Sequence, residues 1–300
     1  MAAVVLTAFL IRPSFVGHSN ARFMVALRHN KSLGWASGLY NPVTPPNSSQ
    51  SSLRVFVGVL SRAGNFKARE AIRQTWGKDP AMARVMFFVL RPDDDADFYR
   101  VRQESVTLGD MFVVSDVNEH YDRITYSTLA LFKAAAVNPS EYTHVVKTDD
   151  DVYLRPSLLL HTLEGMPRER LYAGHPMAPG SAVRHGEWHR VPYNNWADDT
   201  PVKYGFGWGY VLSMDLAQEV AAGSVHLIMR PDNLLIIEDL AVGYWVNYVA
   251  QERGITINYD GSIPMGNEGC KDDFIFYHIK AKPQWRVIKC MHDHGGCCCP

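Results

Sequence analysis

Apolar runs alternate with amphipathic segments from residue 53 onward. Short runs rich in β-branched and aromatic residues predict strands, and apolar residues at helical spacing between them predict helices. The predicted strands are 53–60, 84–90, 111–114 and 142–146, and the predicted helices are 67–76, 94–104 and 126–137. This alternation indicates an α/β fold with a mostly parallel, Rossmann-like sheet and helices on both faces.

The alternation is lost at the two ends of the chain. Residues 1–13 are mostly apolar and suggest a truncated signal anchor, although an unstructured leader fits equally well. Residues 14–52 are rich in Ser, Asn, Gly and Pro, and we expect a flexible stem there. A folded domain over 53–289 and a Cys-rich tail over 290–300 complete the predicted organisation.

Charge and composition exclude some classes of function. The chain has 300 residues, with 30 Lys+Arg against 31 Asp+Glu, so its net charge is −1. Because nothing in this balance would neutralise a phosphate backbone, nucleic acid is not an expected partner. No apolar run reaches the roughly 20 residues of a membrane-spanning helix.

The five cysteines are confined to the last 31 residues, at Cys270, Cys290 and 297–299. Together with His292 and His294 the tail could form a zinc site, but no C-x-x-C spacing supports one. A disulfide between the tail and Cys270 is the alternative, which requires an oxidising compartment.

An acidic triplet, Asp149–Asp151, follows the fourth predicted strand. Ligands bind at the carboxyl ends of the strands in such sheets, and a divalent cation bridging phosphate oxygens would neutralise the triplet. In extended backbone Asp149 and Asp151 share one face, and Asp150 points away. The alternative is a solvated acidic turn, which is how we interpret the similar triplet at residues 93–95.

A second acidic pair, Glu238 and Asp239, lies between apolar runs. Burial can raise the pKa of a carboxyl group toward the working pH, so the pair is a candidate general base. Alternatively, Asp239 caps a helix over 240–250 and Glu238 adds to its dipole.

Three weaker features accompany these carboxylates. Arg69 and Arg73 lie four residues apart on one predicted helix, where they could hold a diphosphate or form an exposed ion-paired face. Residues 204–213 alternate glycine with aromatic residues, which suits either sugar stacking or a packed strand bend. His278 ends an apolar run and is either structural or a ligand that completes a metal shell.

Taken in order, these segments resemble family 31 glycosyltransferases, the group of β-1,3-galactosyltransferases, β-1,3-N-acetylglucosaminyltransferases and Fringe-like enzymes. The matching segments are 69–77, 87–90, 121–133, 147–153, 207–213 and 238–243. Each segment alone is weakly specific, but together they cover roughly residues 53–285 in the right order. Residues 268–278 look most like plant or algal members.

The resemblance implies a GT-A fold, a UDP-sugar donor, Mn²⁺ and inversion at the anomeric carbon to form a β-1,3 linkage. It implies transfer of a hexose, with UDP-galactose favoured and UDP-N-acetylglucosamine the main rival, to a glycan or glycoprotein acceptor. Members of this family are anchored in the Golgi or endoplasmic-reticulum membrane with a lumenal catalytic domain. A catalytically silent, glycan-binding or chaperone-like relative is the alternative from another class.

The resemblance also assigns roles to residues of this chain. Asp239 would be the general base, and Asp151 and His278 the metal ligands. Nucleotide-sugar contacts would come from Arg69, Arg73, Asp149 and Asp150, and acceptor-side contacts from Trp188, Trp208 and Glu238. Two departures from the family pattern, Glu187-Trp188 in place of Lys-Trp and 202–204 in place of a Tyr-Pro segment, leave the acceptor undetermined.

Overall fold

The computed structural model describes residues 52–180, 201–222, 237–269 and 273–295. All of them belong to one compact unit, Val43–Pro300. The expected anchor over 1–13 and the stem up to residue 51 lie outside the described residues, so both stay predictions, as does the Golgi location. No helix in the described ranges has the length and hydropathy that crossing a membrane requires.

Strands and helices alternate through the first half of the described chain, as the apolar pattern predicts. The strands are β1 (Val55–Leu60), β2 (Arg84–Arg91), β3 (Met111–Asn118), β4 (His144–Asp149), β5 (Val152–Leu154), β6 (Leu171–Ala173), β7 (Ala178–Gly180), β8 (Val202–Tyr204), β9 (Gly209–Ser213), β10 (Asn258–Asp260), β11 (Met265–Gly266) and β12 (Phe276–His278). The helices are α1 (Phe66–Gln74), α2 (Asp95–Leu108), α3 (Ile124–Ala135), α4 (Pro156–Glu164), α5 (Met214–Ala221), α6 (Glu238–Arg253) and α7 (Gln284–Asp293).

Seven strands form the central sheet, in the order β10-β6-β9-β4-β1-β2-β3. The pairs β4-β1, β1-β2, β2-β3 and β10-β6 are parallel, which confirms a mostly parallel sheet. β9 runs antiparallel to both of its neighbours, β4 and β6. The start of β9 therefore lies at the same edge of the sheet as the carboxyl end of β4.

Helix α3 packs closely against β1 because β1 carries a glycine at the contact. All six residues of β1 are buried. A Cβ atom on Gly58 would lie only 2.0 Å from Cδ1 of Leu131, a fully buried residue of α3. The glycine thus lets a large leucine fill the space over the strand, which fixes the helix near the centre of the sheet.

A small sheet of β11, β12 and β5 extends the edge that carries the acidic triplet. β12 runs antiparallel to β5, and His278 lies opposite Val152, one residue after the triplet. The backbone N–H of Ile279 also donates to the carbonyl of Asp151 at 2.9 Å. A residue more than 120 positions away in the sequence is thereby held beside the end of β4.

The last helix crosses the boundary we expected between the domain and the tail. α7 runs through residue 290 to Asp293. Cys290 is disulfide-bonded. The expected partner Cys270 lies outside the described residues, as do residues 297–299, so the pairing stays a prediction.

Candidate active site

A cleft of about 1210 Å³ opens at the carboxyl ends of β1 and β4. In the ladder between these strands, Leu60 lies opposite Asp149, so both strands end at the cleft. The loop before β9, the first turn of α6 and the end of β12 supply the other walls. Polar side chains concentrate here, namely Lys147, Asp149, Asp150, Asp151, Glu238, Asp239 and His278.

Each carboxylate of the acidic triplet has different partners. Oδ1 of Asp149 lies 2.9 Å from Nζ of Lys147, and Oδ2 of Asp151 lies 3.5 Å from Nε2 of His278. Asp150 is buried and accepts hydrogen bonds from Ser61 and Asn65, in the loop after β1, at 2.6 and 2.9 Å. This arrangement ties the ends of β1 and β4 together.

Burial changes the acidity of Asp149 and Asp150. It raises the pKa of Asp150 to about 6, although the hydrogen bonds from Ser61 and Asn65 act to lower it. It also raises the pKa of Asp149 to about 7, against the effect of the Lys147 ammonium group. The carboxylates at 93–95 are exposed instead, and Asp94 caps α2 by accepting from the N–H of Asp97 at 2.9 Å. The two triplets therefore differ as expected in their surroundings.

Asp151 and His278 form a pair of donor atoms that could hold a metal. Oδ1 of Asp151 and Nδ1 of His278 are buried and have no hydrogen-bond partner among the residues that the structure describes. The ring of His278 stacks on that of Trp208, with 4.7 Å between centroids and 15° between planes. Among the described residues, no group of three or more His, Cys, Asp or Glu side chains could hold a metal ion. A metal bound at this pair would therefore need further ligands from a bound molecule.

The second acidic pair stands in the first turn of α6, which begins at Glu238. Asp239 accepts hydrogen bonds from two backbone N–H groups, Gly207 at 3.0 Å and Leu240 at 2.8 Å. Its pKa is raised to about 6, mainly by burial and then by the Glu238 carboxylate. The side chain lies inside the first turn rather than at the N-cap, where Ile237 stands.

Both carboxylate oxygens of Glu238 are occupied by groups of the protein. Oε1 accepts from Thr128 at 2.7 Å and from the hydroxyl of Tyr210 at 2.6 Å. Oε2 lies 3.0 Å from Nζ of Lys147. Among the described residues, Asp239 accepts hydrogen bonds from backbone N–H groups alone, so of the two adjacent carboxylates it is the one left for a bound molecule.

The arginines of α1 form an ion-pair network behind the cleft wall. Arg69 is fully buried and donates to both oxygens of Glu104, at 2.9 and 2.6 Å. Its remaining N–H groups bond to Ser61 and to the carbonyls of residues 62 and 63. Arg73 donates to Glu104 and to both oxygens of Asp110. Neither arginine lines the cleft, in contrast to the expected nucleotide contact, because carboxylates from α2 and the following turn occupy their donors.

In the glycine-aromatic segment, residues 204–213, some residues face the cleft and others pack in the sheet. Trp208 and Gly207 line the cleft, whereas Tyr210 is fully buried in β9. Gly209 is required for packing, because a Cβ atom there would lie 2.4 Å from the ring of Phe276. Trp188, the other expected acceptor-side aromatic residue, lies outside the described residues.

Sequence reasoning missed several residues of the cleft, above all Lys147. A lysine within an otherwise apolar strand was the available signal, since a buried ammonium group requires acidic partners. Tyr121 was also missed. It lines the cleft, and 74% of its surface is exposed. Tyr121 lies just before α3, in a segment whose apolar pattern does not indicate a catalytic or binding role.

A family model described as Galactosyltransferase matches residues 67–254. The β-1,3-galactosyltransferase GALT1 of Arabidopsis thaliana is 27% identical over 270 residues, which cover 85% of this chain and 40% of that protein. The hydroxyproline O-galactosyltransferase GALT5 of the same plant is 26% identical over 265 residues, covering 86% of this chain and 38% of that protein.

An animal relative matches over a larger share of its own length. The β-1,3-galactosyltransferase 1 of Mus musculus is 28% identical over 211 residues, which cover 67% of this chain and 62% of that protein. The chain thus spans about two fifths of the length of the plant relatives. The family match contains the acidic triplet, the glycine-aromatic segment and the Glu238-Asp239 pair. With more than half of its length matched by the family model, the chain belongs to the galactosyltransferase family.

Proposed function

We propose that this protein transfers galactose from UDP-galactose to a hydroxyl group of a glycan or glycoprotein acceptor, with inversion and formation of a β-1,3 linkage. The observation that carries the proposal is the position of Asp239. Its carboxyl group lies in the wall of the cleft, oriented by two backbone N–H groups, and its pKa is raised to about 6. Such a group is ionised near neutral pH and still basic enough to accept a proton.

The pair Asp151 and His278 fits a bound Mn²⁺. Each residue has a buried polar atom without a hydrogen-bond partner, and carboxylate oxygen and imidazole nitrogen are both ligands for this ion. Mn²⁺ at this pair, with diphosphate oxygens in its shell, would neutralise the charge that develops on the departing UDP. The resident residues supply only part of a shell, which agrees with a metal that binds together with the nucleotide.

The remaining steps fall to the chain's own groups. Asp239 accepts the proton of the acceptor hydroxyl as that oxygen attacks the anomeric carbon, and the bond from this carbon to the UDP oxygen breaks. Inversion in a single displacement requires no covalent nucleophile. Glu238, held by Thr128, Tyr210 and Lys147, is not available as a second base. Trp208 offers an aromatic surface in the cleft, stacked on the ring of His278.

The test is UDP release with UDP-galactose and with UDP-N-acetylglucosamine, each with Mn²⁺ or with EDTA. The acceptor panel contains β-galactosides, N-acetylglucosaminides and hydroxyproline peptides, because the relatives' names include hydroxyproline O-galactosyltransferases. We expect Mn²⁺-dependent release with UDP-galactose. Release with UDP-N-acetylglucosamine alone would identify the rival donor. An absence of both turnover and UDP binding would overturn the proposal in favour of a silent relative.

Asp239→Asn tests the assignment of the base. Transfer should fall by roughly 10²- to 10⁴-fold, while Mn²⁺-dependent UDP binding stays near that of the parent. The matched control is Asp95→Asn, which removes a carboxylate that is 90% exposed on α2. Transfer that survives Asp239→Asn within a few-fold would rule out this residue as the base.

A further inference from the structure

Lys147 is a buried, positively charged residue in the wall of the cleft. Its side chain is 2% exposed, and Nζ has three partners from three parts of the chain. The carboxylates of Asp149 and Glu238 lie at 2.9 and 3.0 Å, and the carbonyl of Gly207 accepts a hydrogen bond at 2.5 Å. The two carboxylates raise the pKa of Lys147, although burial acts to lower it, so the ammonium form persists.

The backbone of Gly207 connects this cation to Asp239. Its carbonyl accepts from Lys147, and its own N–H group donates to Oδ2 of Asp239 at 3.0 Å. A second connection runs through the ion pair with Glu238, which directly precedes Asp239 in the first turn of α6. Lys147 therefore holds both the loop and the helix that fix the direction of the Asp239 carboxylate.

We propose that Lys147 is a positioning residue that fixes Asp239 for proton acceptance and ties it to Asp149, so that the base side and the donor side of the cleft share one buried cation. The proposal rests on the proposed function, since it takes Asp239 as the base. This role differs from that of an ordinary structural ion pair, because the contacts of Lys147 with Gly207 and with Glu238 both lead to Asp239. Lys147 contacts no reacting atom itself.

The charges that face Asp239 make this role measurable. Four tyrosines from other elements interact electrostatically with the Asp239 carboxylate, and the pKa of each is raised, so they stay neutral; these are Tyr121, Tyr172, Tyr204 and Tyr210. Among the described residues, the charged groups that act on the pKa of Asp239 are Glu238, which raises it, and Lys147, which lowers it. Removal of either charge should therefore move the pKa of Asp239, and the two removals should act in opposite directions.

The experiment compares Lys147→Met, Glu238→Gln and the double variant with the full-length parent protein. Methionine keeps an unbranched side chain of similar length. In Lys147→Met the pKa of Asp239 should rise, in Glu238→Gln it should fall, and in the double variant it should lie between those of the two single variants. Two measurements report the pKa of Asp239 in each variant. The first is the change in unfolding free energy caused by adding Asp239→Asn to that variant, measured at several pH values. The second is the acidic limb of the pH profile of kcat/KM.

The kinetic expectation is a fall in kcat of about 10- to 100-fold for Lys147→Met, as a displaced base predicts. Lys133→Met is the control, since it removes a half-buried lysine of α3 that does not line the cleft. If Lys147→Met does not fold, Lys147→Arg decides the matter: it keeps a cation beside Asp149 and Glu238 but replaces the single Nζ that binds the Gly207 carbonyl, so kcat should fall. A folded Lys147→Met with an unchanged pKa of Asp239, or a folded Lys147→Arg with the kcat of the parent, overturns the proposal. Because the stability readout needs no turnover, failure of the proposed function would appear separately, as a parent protein that releases no UDP.

Discussion

Replacing Asp239 by asparagine is expected to stabilise the folded protein near neutral pH while it removes the proposed base. The pKa of Asp239 rises from 3.8 to about 6 on folding, mainly because of burial. The folded protein therefore binds this proton more tightly than the unfolded chain. The carboxyl group contributes stability at low pH and loses that contribution as the pH rises through about 6, where the buried group must ionise.

The magnitude follows from the same values. A rise of this size corresponds to about 3 kcal/mol of unfolding free energy between the fully protonated and the fully ionised limits. Between pH 4.5 and pH 7.5, about 2 kcal/mol of this is lost by the parent protein but not by the asparagine variant. Asparagine keeps one acceptor for the N–H groups of Gly207 and Leu240 and loses the other, which lowers the absolute gain by about 1 kcal/mol.

The assay is urea unfolding of parent and variant at several pH values, read as the difference in unfolding free energy at each pH. The difference should move in favour of asparagine as the pH rises, because the raised pKa of Asp239 already contains the effect of its backbone hydrogen bonds, and the asparagine variant has no such titration. The variant Asp95→Asn provides the comparison for loss of an exposed carboxylate. A difference that stays flat from pH 4.5 to 7.5 would show that Asp239 is not perturbed by burial, and would remove the basis for its role.

Three further outcomes are expected. Glu104→Ala should destabilise the fold by about 3–5 kcal/mol in urea, because it leaves Arg69 buried without its carboxylate; a loss below 1 kcal/mol would speak against this network. Gly209→Ala should lower stability by about 1–3 kcal/mol, since its Cβ meets the Phe276 ring, and an unchanged melting temperature would contradict that packing. His278→Ala should weaken Mn²⁺-dependent UDP binding by about 10-fold or more in calorimetry, with EDTA abolishing the difference between the two proteins; equal affinities with Mn²⁺ would exclude the residue as a ligand.

Local pattern was sufficient for the alternating strands and helices but not for the direction of every strand. The helix predicted over 67–76 is α1, Phe66–Gln74, and the strand predicted over 84–90 is β2, Arg84–Arg91. The antiparallel direction of β9 was not predicted, because an apolar run of five residues reads the same in either orientation. Its direction is decided by the neighbours it inserts between, β4 and β6.

The chemistry of side chains was predictable only where the partner is close in sequence or marked by a pattern. The capping role of Asp94 depends on the next turn of its own helix, so composition indicates it. The placement of Arg69 depends on Glu104, 35 residues later, and no local spacing distinguishes an arginine bound to a carboxylate from one bound to a phosphate. The role of Lys147 likewise depends on Gly207 and Glu238, which are distant in sequence and come close to it only in the folded protein.

The insertion of β9 between β4 and β6 has a consequence for the order in which the protein can be made. When a growing chain has emerged as far as β4, the strands β1 to β4 can already pair, but the outer edge of β4 stays open until Gly209–Ser213 arrives about 60 residues later. Such an open edge exposes unpaired backbone groups to other chains. Lys147 also lacks two of its three partners during that interval. The strand that ends in the acidic triplet therefore stays open to mispairing until the second half of the domain has been made.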